Sequence, residues 1–102
     1  MATLEHAKYA VCTNGGMSAY VTVITTVLNS GDHILCLKDV YGGVARHLRS
    51  IIEHKTDIDY TFSDDFDDIA KFKKQLRPNT KLVWMETPTN PILKVYDIHK
   101  IA

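Results

Sequence analysis

The run Glu86-Thr87-Pro88-Thr89-Asn90-Pro91, directly after the apolar stretch Leu82-Val83-Trp84-Met85, is the strongest constraint on how this chain can fold. Proline supplies no ladder donor, so the sequence cannot continue as a central strand. The residue before each proline is also held toward extended geometry. The chain must therefore leave a buried strand at its carboxyl end through a stiff loop bearing one carboxylate, Glu86, and one amide, Asn90. In open α/β sheets, ligands bind at such strand ends. A second loop, Asp39-Val40-Tyr41-Gly42-Gly43, has the same placement after Ile34-Leu35-Cys36-Leu37, and a third, Thr13-Asn14-Gly15-Gly16-Met17, opens a helix. Three loops of this kind in one short chain predict a shared site.

Between these loops the pattern alternates. Tyr9-Ala10-Val11-Cys12 reads as a short strand. A helix is predicted from Met17 to Leu28 although Thr22 to Val27 are β-branched, because glycines precede it and Asn29-Ser30-Gly31-Asp32 follows. His33 to Leu37 is an apolar strand. Val44 to His54 carries a helical stripe of Val44, Leu48, Ile51 and Ile52. Ile58 to Phe62 alternates as a more polar strand. Ser63 is predicted to cap a helix through Leu76, whose acidic start and basic end match the helix dipole and make a solvated outer face. Lys81 to Met85 is the next strand. Strands alternating with helices imply a parallel sheet joined by crossovers.

Charge excludes some partners. Lys+Arg and Asp+Glu number 12 each, so nothing favours nucleic acid or an anionic membrane surface. No apolar run approaches the roughly 20 residues that span a bilayer, and no secretory signal pattern is present. Cys12 and Cys36 lie in apolar strand-like runs and are expected to be buried free thiols, which suits a cytoplasmic compartment. Leu4 to Ala7 reads as a helix end and Tyr96 to Ala102 as another helix, so the chain is expected to be a piece of a larger domain.

Each loop residue has two readings. Gly15-Gly16-Met17 puts backbone amides at a helix N-terminus, which suits an anion such as phosphate or serves only tight packing. Tyr41 is either a core aromatic or a ring stacked over a planar ligand. Glu86 and Asn90 either cap their loop or orient a ligand. Together, an anion cradle, a stacking ring and an orienting amide suit a flat, phosphorylated cofactor. No metal-ligand pattern is seen.

Asp39-Val40-Tyr41-Gly42-Gly43, then Lys81 to Pro91, then Lys94-Val95 and Asp97-Ile98, resemble the Cys/Met-metabolism family of pyridoxal-phosphate (PLP) enzymes, nearest its cystathionine γ-lyase branch. The resemblance runs from about Leu4 to Ala102. It implies an α/β fold, a parallel-sheet fragment of the large domain of a fold type I (aspartate-aminotransferase-like) enzyme, with residues 1–102 a partial PLP-binding domain. It also implies that Gly16 and Met17 offer amides to the cofactor phosphate and that Tyr41 stacks on the pyridine ring and assists proton transfer. Asn90 then bonds the phenolic oxygen, Glu86 supports that loop, and Arg46 lies at the substrate end. The family usually has Ser where this chain has Gly15, so phosphate affinity is expected to be weaker.

The family's Schiff-base lysine and C-terminal domain belong to sequence beyond this segment, so the chain alone is expected to be inert, poorly stable and self-associating. The resemblance further implies a parent that cleaves cystathionine to cysteine, 2-oxobutanoate and ammonia as a homotetramer, acting on a sulfur-containing amino acid. The γ-synthase, β-lyase and methionine γ-lyase branches are alternatives. So is a non-catalytic remnant or interaction module.

Overall fold

Strand β1 (His33–Leu37) organises the fold, and all five of its residues are buried. A five-residue run without alternation suits a central strand covered on both faces. In the computed structural model, which describes residues 1–102, β1 pairs in parallel with β2 (Asp59–Ser63) on one side and β3 (Thr80–Trp84) on the other. The order β2-β1-β3 bears out the α/β parallel sheet. The β1–β3 register passes from His33 opposite Thr80 to Ile34 opposite Leu82, so Lys81 is an extra residue bulged out of the ladder.

Helix α1 (Gly16–Val27) precedes β1 and buries Tyr20 and Ile24. It accommodates its threonines by turning their hydroxyls back onto the helix: Thr22 Oγ1 donates to the Ser18 carbonyl at 2.8 Å and Thr25 Oγ1 to that of Val21 at 2.9 Å. The turn into β1 needs Gly31, whose φ of 85° lies in the left-handed region that only glycine enters freely. After β1 comes α2 (Gly42–His47), which runs on through a π-helical segment (Leu48–Ile52) into α3 (Glu53–Lys55). Val44, Leu48 and Ile52 are the buried stripe. Helix α4 (Ile69–Gln75) links β2 to β3, and the short α5 (Ile98–Ile101) follows. Two aromatic clusters sit in the core, Phe66 with Phe72 and Tyr96, and Tyr20 with Trp84 and His47.

Several expectations are corrected. Tyr9 to Cys12 is not a strand: residues 8–14 make no backbone–backbone hydrogen bond, and Tyr9 and Val11 are 76% and 84% exposed. An extended segment without a ladder partner has nowhere to place its donors except water. Cys12 is consequently exposed, and only Cys36 is the buried thiol expected of both.

Ser63 does not cap a helix either. It ends β2, where its carbonyl accepts the Lys38 N–H at 2.9 Å and its hydroxyl accepts the Asp65 N–H at 3.0 Å. The chain first buries Phe66, and Asp68 then caps α4 by accepting the N–H groups of Ala70 and Lys71 at 3.0 and 3.2 Å. Those bonds, the Lys71 amide first, hold its carboxyl below the usual range. Leu4 to Ala7 forms hydrogen-bonded turns and no helix. Val11 and Val83 are exposed, whereas Leu35 is fully buried.

His33 ties the three strands together. Its ring is fully buried, with Nδ1 sharing a hydrogen bond with Thr80 Oγ1 of β3 at 2.8 Å and Nε2 with Thr61 Oγ1 of β2 at 3.0 Å. Burial, and then the Arg77 guanidinium, push its pKa below the ordinary 6.5, against a smaller pull from Asp59. The unfolded chain therefore binds more protons than the folded one just below that value, so stability rises with pH there. We expect the urea midpoint to fall as pH drops below about 6.5. A His33→Gln variant should lose that part of the pH dependence, and an unchanged pH slope would contradict the neutral clamp.

Candidate functional site

The carboxyl ends of β1 and β3 and the start of α1 enclose a concavity of about 580 Å³. Gly15, Gly16 and Met17 line it from α1, Tyr41 and Val44 from α2, and Trp84 and Glu86 from β3 and the loop beyond. The parallel sheet is what brings these segments to one end.

The α1 end of this concavity is rich in free donors. No side chain caps α1, no acidic residue occupies its first turn, and the amides of Gly16, Met17 and Ser18 donate to no protein acceptor. A twelve-residue helix presents a partial positive charge there. The nearby hydroxyls are engaged locally: Thr13 Oγ1 donates to the Gly15 carbonyl and Ser18 Oγ to Asn14.

Tyr41 precedes α2 and is 50% exposed, so the structure places its ring at the wall of the concavity and not in the core. Its ring lies across Gly43. A Cβ built on Gly43 would sit 2.5 Å from Tyr41 Cε1 and 3.0 Å from Met17 Sδ, so any side chain there would displace the Tyr41 ring from its present seat. Glu86 holds the other side of Tyr41, both carboxylate oxygens accepting its backbone N–H at 3.1 and 3.0 Å.

Behind this wall the chemistry is quiet. Burial, and then the Glu86 charge, push the Cys36 thiol up to about 12. Burial, with a smaller contribution from Cys36, pushes the Tyr20 phenol up, and its hydroxyl shares a 3.2 Å hydrogen bond with His47 Nδ1. Both groups stay protonated near neutral pH. Trp84 Nε1 is buried with no hydrogen-bond partner. No group of His, Cys, Asp or Glu side chains is arranged to hold a metal ion.

Of the residues singled out in the sequence, Gly16, Met17, Tyr41 and Glu86 come together in this concavity. Asn90 and Arg46 do not: both are exposed and stand outside its lining. Asn90 sits in the loop after β3, whose Thr87–Pro88 and Asn90–Pro91 bonds are both cis. Arg46 lies one turn into α2.

Sequence reasoning missed Thr89 and Asp39. Thr89 is fully buried, its hydroxyl donating to Asp39 Oδ2 at 2.5 Å while accepting the Lys94 N–H at 3.0 Å. The Asp39–Thr89 partnership spans 50 positions, and no local pattern announces it. Trp84 and Val44 were read only as strand and helix-stripe residues.

The whole chain, residues 1–102, matches the family model described as Cys/Met metabolism PLP-dependent enzyme. It is 42% identical to human cystathionine γ-lyase, covering all of this chain and 24% of that protein. It is 39% identical to a protein of Herpetosiphon aurantiacus described as a probable cystathionine γ-synthase, covering all of this chain and 31% of the other. The crystal structure of cystathionine γ-lyase from Lactobacillus plantarum complexed with L-serine superposes with a TM-score of 0.88 at 37% identity, over 98% of this chain and 26% of that one. The chain thus spans about a quarter to a third of the length of these relatives.

Proposed function

Because this chain belongs to the Cys/Met metabolism PLP-dependent enzyme family, we propose that its concavity is the phosphate-and-ring side of a PLP site in a cystathionine γ-lyase-like transsulfuration enzyme. The observation that carries this reading is the convergence of uncapped α1 amides, the Tyr41 ring and Glu86 at one end of a parallel sheet. The residues fit the cofactor: the Tyr41 ring on the wall of the concavity offers a flat aromatic face, and the free α1 donors suit a phosphate.

In this reading Gly16 and Met17 hold the phosphate through their N–H groups, and the α1 dipole adds to the attraction. Tyr41 would hold the cofactor ring from the wall of the concavity, and its hydroxyl would assist proton transfer at the substrate amine. Glu86 keeps the Tyr41 backbone, and with it the ring, in place. Asn90 would donate to the phenolic oxygen, and Arg46 would lie at the substrate end. When bound, PLP supplies an electron sink for carbanionic charge on an amino-acid substrate. The parent reaction would release cysteine, 2-oxobutanoate and ammonia from cystathionine.

The γ-synthase reading is kept alive by the Herpetosiphon relative. No helix is long and apolar enough to cross a membrane. A cytoplasmic homotetramer is part of the proposal and is read by fractionation and sedimentation.

The test is binding and turnover by the protein that carries this segment. PLP should bind more tightly than pyridoxal, Tyr41→Ala should weaken both, and cystathionine should give 2-oxobutanoate. Equal affinity for PLP and pyridoxal would remove the phosphate cradle. Cystathionine formation from an activated homoserine, without lyase turnover, would select the synthase branch.

Gly15→Ser provides a sharper check. The backbone at Gly15 is fully extended (φ 178°, ψ 164°) and nothing lies within 4 Å of an added Cβ, so serine fits without strain. The added hydroxyl should raise PLP affinity by roughly threefold to tenfold, the worth of one hydrogen bond, with no gain for pyridoxal.

A further inference from the structure

We propose that Asp39 and Thr89 are positioning residues for this site, forming one half of a reciprocal clasp that sets the Tyr41 ring against the Asn90 loop. The inference rests on the PLP reading above and adds two residues to it.

The loop after β1 and the loop after β3 exchange carboxylates. Asp39, from the first, accepts the Thr89 hydroxyl of the second at 2.5 Å; Glu86, from the second, accepts the Tyr41 N–H of the first at 3.1 and 3.0 Å. One such link would leave a hinge about which the loops could turn. Two links from different points fix both separation and orientation. Both are charge-assisted, and the Asp39–Thr89 distance is at the short end for a hydroxyl on a carboxylate.

Thr89 is built as an anchor. It is fully buried in a loop whose neighbours Pro88, Asn90 and Pro91 are exposed. Its N–H donates to the Lys94 carbonyl at 2.9 Å, its carbonyl accepts the Leu93 N–H at 3.0 Å, and its hydroxyl accepts the Lys94 N–H at 3.0 Å. The hydroxyl's own proton is left for Asp39. Removing that oxygen therefore frees the Lys94 amide and unties the two loops at once. Tyr41 follows Asp39 by two residues and Asn90 follows Thr89 directly, so the clasp acts on the ring and the amide through very short lengths of chain.

The experiment uses the protein that carries this segment and compares Thr89→Val, Thr89→Ser and Asp39→Ala, singly and with Asp39→Ala and Thr89→Val combined. The readouts are PLP affinity by equilibrium dialysis and the wavelength of the bound cofactor's long-wave absorption band. Thr89→Val should weaken PLP binding about tenfold, the worth of one charge-assisted hydrogen bond, and shift the band. Thr89→Ser should stay within about twofold of the unaltered protein, and the double variant should be no worse than the more affected single one, because both remove the same bond. A Thr89→Val protein with unaltered affinity and band overturns the inference and leaves the PLP reading intact. Failure of the unaltered protein to bind PLP overturns the reading and the inference with it. Should Thr89→Val not fold, Asp39→Ala removes the Asp39–Thr89 bond while keeping the Lys94 one, and weaker PLP binding with a shifted band is again the expected result, unaltered affinity and band the overturning one.

Discussion

Cys36 is expected to resist thiol reagents at pH 8 under conditions where Cys12 is modified completely. Cys12 lies in the exposed N-terminal stretch, while Cys36 is the fourth residue of the central strand and fully buried. The reactive species is the thiolate. With burial and the Glu86 charge holding the Cys36 thiol near 12 against an ordinary 9.0, its thiolate population at pH 8 is about a thousandfold smaller than that of an unperturbed cysteine. Steric exclusion reduces the rate further, because Cys36 is fully buried. Alkylation followed by peptide mass spectrometry should find Cys12 labelled and Cys36 untouched, with Cys36 becoming reactive only in urea. Comparable native labelling at the two sites would mean that β1 is not the protected centre of the sheet.

Glu86→Ala should be the most damaging single change at the mouth of the site. Both oxygens of Glu86 accept one backbone N–H, that of Tyr41, immediately before α2. Truncation leaves that N–H unpaired, removes a negative charge from a helix start, and cuts one of the two links between the loops. Losing a charged hydrogen-bond partner costs about 1–3 kcal/mol, and a lower urea midpoint should report it. Glu86→Gln should fall between, since the amide oxygen still accepts the bond while the charge is lost. An unchanged midpoint would show that Glu86 does not hold Tyr41 as described.

Much of the architecture was legible because local signals agreed with one another. The apolar run His33–Leu37 became the buried central strand, the glycine pair and Asn29–Asp32 bracketed α1, and Pro88 and Pro91 ended the third strand at its carboxyl end. Where prediction failed, a local signal competed with packing. Ser63 carried a capping side chain, yet burying Phe66 against Phe72 and Tyr96 delayed the helix until Asp68 could cap it. Tyr9 to Cys12 had strand composition, but a strand exists only with a partner, and none pairs with it.

By itself the sequence determined the α/β alternation, the placement of three loops at strand ends and the motifs that mark the family, because each depends on residues a few positions apart. Only the tertiary structure decided which loop residues meet. It brought Tyr41 over Gly43 and against Glu86, left Asn90 and Arg46 outside the concavity, and joined Asp39 to Thr89. Those contacts span tens of residues and depend on strand register and side-chain direction, which a parallel sheet sets through its crossovers and which no short window of sequence contains.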